Sequence, residues 1–299
     1  MRAGATNTVN YATQFQRDLT QKYERELLTS EMTTKKVRFV NAKTVKLPFI
    51  EMAGYKDHSR NGGFNRQSAK NDFQTFTLTH DRDVEFFVDE MDVEESNLAL
   101  AAANVTNEFE TQQAIPETDC YRISKLYADM KSNDGKIDNT ALSEENILSK
   151  IDSAMKEMTE NKVPKEGRVL YVTPTVNQYL KDAKELQRFL NVNGSNDGKV
   201  KRSIVDLDGL KIKEILSARM KTKYDFSDGC KEGVTAKQIN FILFHPRSIL
   251  ACDKHQYIKL WPEGTHTQGD GFLYQNRKYG DLFLIPNRKD GVYINAEAE

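Results

Sequence analysis

Residues 83–96 have the sequence DVEFFVDEMDVEES, in which a strand pattern changes to a helix pattern. Val84, Phe86 and Val88 recur at every second position, and this period of two predicts a half-exposed strand. Asp92 and Glu95 then have the Asp-x-x-Glu spacing of a capping box, which is typical of the first turn of a helix. The stretch therefore predicts a strand that leads within a few residues into a helix.

The helix that begins near residue 92 is predicted to be the longest of the chain. It carries an apolar stripe formed by Leu98, Ala102, Val105 and Phe109. We expect Pro116 to end or kink it, because proline has no backbone N–H to donate. A helical pattern resumes from Tyr121 to Met130.

The segment before residue 83 has the pattern of an extended β-hairpin. Apolar residues alternate with polar ones around Val45, Leu47 and Phe49, and strand character returns from Phe76 onward. Residues 54–72 between them are polar, contain glycine and show no periodicity, which indicates a long loop tip. Further towards the N-terminus, a stripe with a period of four predicts a helix; it comprises Tyr11, Phe15, Leu19, Tyr23 and Leu27.

The segment after residue 132 mixes helices and strands. An amphipathic helix is predicted around 147–158, and a buried strand at 168–172 precedes a helix that Thr173 caps and Pro174 begins. The last third is rich in strands: residues 239–244 are nearly all apolar, Pro262 ends a strand, and 282–285 and 292–294 are two more. The sequence thus predicts an α+β fold.

Composition and charge exclude several classes of protein. The 299 residues carry a formal net charge of −1, are 38% hydrophobic and 29% charged, and have a mean hydropathy of −0.67. Dedicated DNA binding would need a basic excess. Three widely spaced cysteines favour a reducing cytoplasm over a disulfide scaffold. The N-terminus has no apolar signal core, and no apolar run approaches the ~20 residues of a membrane span.

Residue patterns of known catalytic and binding sites are missing from the sequence. There is no GxSxG, HExxH, P-loop or dinucleotide glycine motif. Cys252 and His255 are three residues apart, but no second pair with zinc-site spacing follows them. We therefore predict no catalytic, cofactor-binding or metal site.

The charges are unevenly distributed along the chain. Residues 31–70 contain nine basic and three acidic residues, a formal charge of +6. Residues 83–119 contain eleven acidic residues and neither lysine nor arginine, a formal charge of −11. These two segments are complementary, and they either meet within one subunit, meet between subunits, or form separate solvated faces.

The order of these elements resembles that of the major capsid proteins of tailed double-stranded-DNA phages, whose fold also occurs in encapsulins. The resemblance is carried by 83–96, by VDLDGLKIKEI (205–215), by FILFHPRSILACDKHQYIKLWPE (241–263) and by YGDLFLIPNRKDGVYIN (279–295). It implies an N-terminal arm (1–35) and an extended hairpin loop with flanking strands (36–88). A peripheral domain (89–137) would come next and contain a spine helix at about 92–131. An axial domain (138–245) would follow, with C-terminal strands (246–299) that return to the peripheral domain and end on the axial domain.

The resemblance implies a structural subunit that is not an enzyme. Such subunits form hexamers and pentamers of an icosahedral phage head and enclose DNA without reading its sequence. The virion would be the final location and the host cytoplasm the place before assembly, with separate scaffolding, portal and head-completion proteins as partners. The residues that we expect at contacts between subunits are Lys43, Lys46, Lys56, Arg60, Arg66, Lys70, Glu90, Glu94, Glu95, Tyr11, Phe15 and Leu19.

Two alternatives stay open. The chain is compatible with an encapsulin-like nanocompartment shell, which would enclose cargo protein in place of DNA. It is also compatible with an α+β enzyme or ligand-binding protein whose site has no recognisable motif.

Overall fold

The structure, a computed structural model, describes residues 27–34, 43–58, 65–89, 109–183, 206–207, 209–267 and 269–298, and the single positions 39, 41, 60, 62 and 106. Helices and strands mix along the chain, so the fold is α+β, as the sequence predicts. Within these residues, none of the helices has the length and apolar character that a membrane crossing requires.

The helices and strands have the following bounds. The helices are α1 (Ile115–Ser132), α2 (Ile147–Glu160) and α3 (Pro174–Asp182). The strands are β1 (Thr44–Met52), β2 (Ala69–Thr77), β3 (His80–Asp89), β4 (Lys136–Asp138), β5 (Val169–Val172), β6 (Asp206–Leu207), β7 (Leu210–Glu214), β8 (Tyr224–Asp225), β9 (Lys231–Glu232), β10 (Ile239–Phe244), β11 (Ile249–Trp261), β12 (Gly271–Leu284) and β13 (Val292–Ala296).

A six-stranded sheet in the order β4-β13-β10-β5-β7-β6 contains the main core. Because successive side chains of a strand point to opposite faces, the apolar run in β10 serves two cores. Ile242 and Phe244 pack with residues of α1, whereas Phe241 and Leu243 pack with residues of α2 and α3. This confirms the prediction that the run is buried on both faces.

Local signals in the sequence locate several element ends correctly. The Thr173 side chain accepts a hydrogen bond from the backbone N–H of Val176, and Pro174 begins α3. Strand β11 ends at Trp261, directly before Pro262. The predicted stripe of α3 extends to Leu190, and its part after residue 183 lies outside the described residues.

A second, three-stranded sheet has the order β11-β12-β3 and packs against α1. Strand β3 pairs with β12 from Gly271 opposite Asp89 to Gly280 opposite His80. The sequence predicted that residues 84–88 flank the hairpin. In the structure, these residues belong to β3, which pairs with the distant C-terminal strand β12. Antiparallel pairing with β12 covers one edge of β3 and ties it to the body of the subunit.

The extended hairpin itself consists of β1 and β2, which pair from Thr44 opposite Thr77 to Met52 opposite Ala69. Its base is anchored because Val45 and Leu78 are buried with Leu250, Cys252 and Phe283. The predicted hairpin is thus confirmed, with its strands at 44–52 and 69–77. The predicted loop tip at 54–72 is too long, because residues 69–72 pair with β1 as part of β2.

Pro116 does not end the spine helix. It lies in the first turn of α1, where a missing N–H is tolerated, and a π-helical turn from Glu110 to Ala114 precedes it. Helical structure therefore runs from Phe109 through Ser132, so the prediction that the helix ends near Pro116 is wrong, and the π-helical turn is the irregularity at this point. The predicted capping box at Asp92 and Glu95 lies outside the described residues.

Candidate assembly surfaces

The segment from Leu27 to Thr34 is held on the body of its own subunit by α1. The carboxylate of Asp119 accepts hydrogen bonds from the backbone N–H and the hydroxyl of Thr29, at 3.0 and 2.8 Å. The Arg122 guanidinium donates to the Thr29 carbonyl at 3.3 Å and to the Thr33 hydroxyl at 3.1 Å. Thr29 and Asp119 are fully buried, so these bonds satisfy groups that water cannot reach.

A second set of contacts ties the same segment to the six-stranded sheet. The Glu31 carboxylate accepts hydrogen bonds from Lys211 at 2.8 Å, Lys213 at 3.0 Å and the Tyr171 hydroxyl at 2.9 Å. Burial by itself would raise the pKa of Glu31, but the hydrogen bonds from Lys211 and Lys213 outweigh it and lower the pKa to about 2. Glu31 is therefore charged at any physiological pH and links the segment to β5 and β7.

These contacts move the end of the predicted arm. The arm was predicted to extend to residue 35, and Leu27 was assigned to the apolar stripe of its helix. Leu27 is instead buried against Ile115 of its own subunit. The candidates Tyr11, Phe15 and Leu19 precede this segment and lie outside the described residues.

Among the described residues, the distal half of the hairpin is not buried against the rest of the subunit. Every described residue from 50 to 73 is exposed, including those on both strands and in the tip. A two-stranded hairpin by itself is at best marginally stable in water. In the described residues, the side chains and strand edges of this part of the fold are therefore exposed.

One face of the exposed hairpin is apolar. In the register of β1 and β2, Pro48 lies opposite Phe73, and Ile50 and Met52 follow on the same face. The exposed fractions are 64% for Ile50, 78% for Met52 and 52% for Phe73. The sequence pattern did not predict this face, because the alternation of Val45, Leu47 and Phe49 indicates the opposite face of β1. The signal was the run Leu47–Pro48–Phe49–Ile50, which is apolar at successive positions and hence on both faces.

The six basic candidates all lie on this hairpin and all are exposed. Lys43 and Lys46 are near its base, Lys70 is on β2, and Lys56, Arg60 and Arg66 are in the tip. Within the described part of the chain, none of the six forms an ion pair. These cations are thus available at the surface, as a contact with another subunit would require.

The acidic segment 83–119 is not one continuous exposed face. Asp119 is paired with Arg219 at 2.9 Å, Glu117 with Arg82 at 2.7 Å, and Glu110 is buried and accepts a hydrogen bond from Asn276. Burial raises the pKa of Glu110. The carboxylates of Asp119, Glu117 and Glu110 therefore form contacts within the subunit. The candidates Glu90, Glu94 and Glu95 lie outside the described residues.

A cavity of about 610 Å³ lies between α1 and the three-stranded sheet. Several of its charged residues are already partnered: Arg82 pairs with Glu117, and Arg122 pairs with Asp253 at 3.0 Å. Lys278 donates to the Thr118 hydroxyl at 3.0 Å, and burial lowers its pKa to about 8. The lining therefore has the character of an internal polar network that joins helix and sheet.

Cys252 and His255 do not form the beginning of a metal site. Cys252 is buried, and burial raises the pKa of its thiol to about 11, whereas His255 is exposed. Among the described residues, no three His, Cys, Asp or Glu side chains are grouped in a way that could hold a metal ion.

Comparison with known proteins gives matches among solved structures. The asymmetric unit of the bacteriophage PhiM1 mature capsid matches with a TM-score of 0.63 at 14% identity, over 86% of this chain and 83% of that chain. The head structure of Helicobacter pylori bacteriophage KHP40 matches with a TM-score of 0.63 at 12% identity, over 89% and 90%. A virus-like particle from Pyrococcus furiosus matches with a TM-score of 0.54 at 11% identity, over 95% and 99%.

No protein-family model and no curated protein sequence matches the chain. At identities this low, the likeness lies in the backbone, and it extends over most of both chains. The chain therefore has the fold of these phage capsid structures.

Proposed function

We propose that this protein is the structural subunit of an icosahedral phage head. It self-assembles into hexamers and pentamers that enclose packaged double-stranded DNA, and it acts as a building block, not as an enzyme. The observation that carries the proposal is the hairpin that is exposed from residue 50 to residue 73 on a fold known from phage capsids.

The hairpin supports self-assembly for a physical reason. Burying exposed apolar surface stabilises an assembly by roughly 25 cal/mol for each Å² removed from water. Ile50, Met52 and Phe73 offer such surface on one face, and a second copy of the chain is the partner that a closed shell supplies. Each hairpin would then lie over the neighbouring subunit and be ordered by it.

Complementary charges support a specific register for the proposed contact between the hairpin and the neighbouring subunit. The basic hairpin residues of one subunit would face the acidic residues Glu90, Glu94 and Glu95 of the next. Exposed ion pairs contribute only ~0–1 kcal/mol each, so they would select the partner, while the apolar face provides most of the affinity.

The division into domains follows the same proposal. Residues 89–137 would form the peripheral domain, 138–245 the axial domain, and 246–299 the returning strands. Strand β13, which pairs with β10 and β4 in the six-stranded sheet, supports the view that the chain ends on the axial domain.

A near-neutral shell suits a container for DNA, because tight binding to phosphates would oppose packing and release. Separate scaffolding, portal and head-completion proteins would be its partners. The host cytoplasm would hold the free subunit and the virion the assembled one.

Electron microscopy of the purified protein, with size-exclusion chromatography, tests this function. We expect closed shells for the wild type and none for the triple variant Ile50→Asn, Met52→Asn, Phe73→Asn. The control Asn71→Ser, Thr75→Asn changes polar residues on the same hairpin face and should still assemble. All these residues are exposed in the subunit, so circular dichroism should be the same for all three proteins. Normal shells from the triple variant would refute the role of the apolar face.

The match to a virus-like particle from Pyrococcus furiosus favours a second candidate, an encapsulin-like compartment. The contents of shells isolated from their natural source distinguish the two: double-stranded DNA supports the phage head, and a folded cargo protein supports the compartment. A stable monomer or dimer at all concentrations would favour the third reading, an α+β enzyme or ligand-binding protein that uses the cavity beside α1.

A further inference from the structure

Two of the segments that lead the chain from one sheet to the other lie against each other. Residues 245–248 connect β10 of the six-stranded sheet to β11 of the three-stranded sheet, and residues 285–291 connect β12 back to β13. The backbone N–H of His245 donates to the Gly291 carbonyl at 2.8 Å. Together these two segments form what we call the sheet junction.

Further contacts hold the two segments of the sheet junction together. The backbone N–H of Ile285 donates to the Ser248 carbonyl at 3.0 Å, and the Arg288 guanidinium donates to the Arg247 carbonyl at 2.9 Å. A Cβ atom at position 291 would overlap the Ser248 hydroxyl, so Gly291 permits this close approach. A change in the first segment therefore reaches the second segment directly.

The ring of His245 is buried in the sheet junction, and its hydrogen bonds fix where its proton lies. Nδ1 is 3.1 Å from the backbone nitrogen of Arg247, and Nε2 is 3.2 Å from the carbonyl oxygen of Glu166. A backbone N–H can only donate and a carbonyl oxygen can only accept, so Nδ1 is the acceptor and Nε2 carries the proton. His245 is therefore neutral, and its Nδ1 begins the 3-10 turn Pro246–Ser248 as a side-chain cap.

The charged surroundings of this ring disfavour a second proton. Three guanidinium groups act on it, those of Arg168, Arg247 and Arg288. On the neighbouring segments, the carboxylates of Glu166 and Asp290 are exposed to solvent, and Lys289 donates to the Asn133 carbonyl at 2.8 Å. Burial and, to a smaller extent, the arginines lower the pKa of His245, against the opposing effect of the bond to the Glu166 carbonyl.

A proton on Nδ1 is incompatible with the closed turn. It would convert the acceptor of the Arg247 N–H into a second donor, and two donors that face each other cannot form a hydrogen bond. The buried N–H of the ring or of the backbone would then have no acceptor, which is costly, unless the turn opens to water.

We propose that His245 is an acid-sensitive switch in the sheet junction. The neutral ring holds the turn of residues 245–248 closed, and protonation of Nδ1 opens this turn and loosens the contact with residues 285–291. The switch lies within one subunit, so it does not depend on the proposed shell function.

The direction of the pH dependence follows from the same geometry. The pKa of His245 in the folded protein is below its ordinary value of 6.5, so the folded state binds fewer protons than the unfolded state in this range. The contribution of the closed turn is complete above pH 6.5 and is lost as the pH falls below it.

The first test is nitrogen NMR of the full-length protein labelled with isotopic nitrogen at histidine, because protonated and unprotonated ring nitrogens have well separated shifts. The signals of His245 are those that disappear in His245→Asn. At pH 7.5 we expect a protonated Nε2 and an unprotonated Nδ1. A proton on Nδ1 at this pH would overturn the proposal. This measurement on the wild type decides the proposal by itself if His245→Asn does not fold.

The second test is hydrogen exchange with mass spectrometry at pH 7.5 and pH 5, expressed as protection relative to an unfolded chain. In the wild type, peptides that cover 245–248 and 285–291 should lose protection at pH 5, while the β10 peptide 239–244 stays protected. His245→Asn should keep the turn protected at both values, because the asparagine carbonyl can accept the Arg247 N–H and does not titrate. His255→Asn is the matched control, since His255 is exposed, and it should behave as the wild type does.

Two results of the exchange experiment would contradict the switch. One is the same loss of protection in His245→Asn as in the wild type. The other is a loss in the wild type that includes β10 to the same extent, which would mean that acid unfolds the whole subunit and not the turn.

Discussion

The Asp119 carboxylate on the spine helix accepts a hydrogen bond from the backbone N–H of Thr29, with 3.0 Å between nitrogen and oxygen, across 90 residues of sequence. The same carboxylate pairs with Arg219, so one buried side chain joins the N-terminal segment, the helix and the loop before β8. Removing any one partner leaves a buried charge or a buried N–H group without compensation, and such groups are costly.

Truncation of the N-terminus should show where the arm begins. Deleting residues 1–26 should leave the subunit folded and prevent regular shells. Deleting residues 1–30 should also destabilise the subunit, by about 2–4 kcal/mol, because Thr29 is lost and Asp119 stays buried. Urea unfolding of both truncated proteins measures the difference, and equal stabilities would contradict this boundary.

Replacing Asp119 by alanine should reduce the free energy of unfolding by about 3–5 kcal/mol, because Arg219 and Thr29 lose a buried partner. Asp228 is a matched control, since it also pairs with a basic residue, Lys231, but lies in solvent. Asp228→Ala should change stability little. Similar losses for the two variants in urea unfolding would show that burial does not govern the contribution of Asp119.

Glu31 should make stability depend on pH in the acid range. Its pKa is about 2 in the folded protein, below the ordinary 4.5, so the folded state binds fewer protons there than the unfolded state. The stabilisation is complete above pH 4.5 and is lost as pH falls towards 2. With allowance for solvent screening it is about 1–2 kcal/mol. Thermal unfolding between pH 6 and pH 3 should show a smaller decline for Glu31→Gln than for the wild type.

The exposed residue Glu144 is the control for this pH dependence, because its side chain lies in a turn at the surface. Glu144→Gln should follow the wild-type curve. A Glu31→Gln curve parallel to that of the wild type would mean that Lys211 and Lys213 do not stabilise the folded carboxylate.

Reversing four hairpin lysines to glutamate (Lys43, Lys46, Lys56 and Lys70) should block assembly without unfolding the subunit, because all four are exposed. A control with the same change in charge reverses four exposed lysines on α2 and in loops away from the hairpin (Lys156, Lys162, Lys165 and Lys223). Light scattering measures assembly, and assembly of the wild type should weaken as salt rises, since exposed charges are screened within about 10 Å at 0.1 M. If the hairpin variant assembles as well as the control, the basic and acidic segments are separate solvated faces.

The sequence by itself was sufficient for features that depend on neighbouring residues. The cap at Thr173, the strand end before Pro262 and the run of residues 239–244 follow from local hydrogen bonding, missing donors and side-chain alternation. The order of these elements also supported the resemblance to phage capsid proteins. The end of the helix that was predicted at Pro116 is wrong, because the effect of a proline depends on the backbone before it, and here a π-helical turn leads directly into α1.

Only the tertiary structure decided which distant residues meet. Strand β3 pairs with β12 about 190 residues later, and Thr29 reaches Asp119. None of these pairings has a local pattern, because each is selected by how whole elements pack once the core has formed. The exposed apolar face of the hairpin belongs to the same class. The residues Ile50, Met52 and Phe73 are ordinary core residues by type, and their exposure is set by the distance to which β1 and β2 extend beyond the body of the subunit.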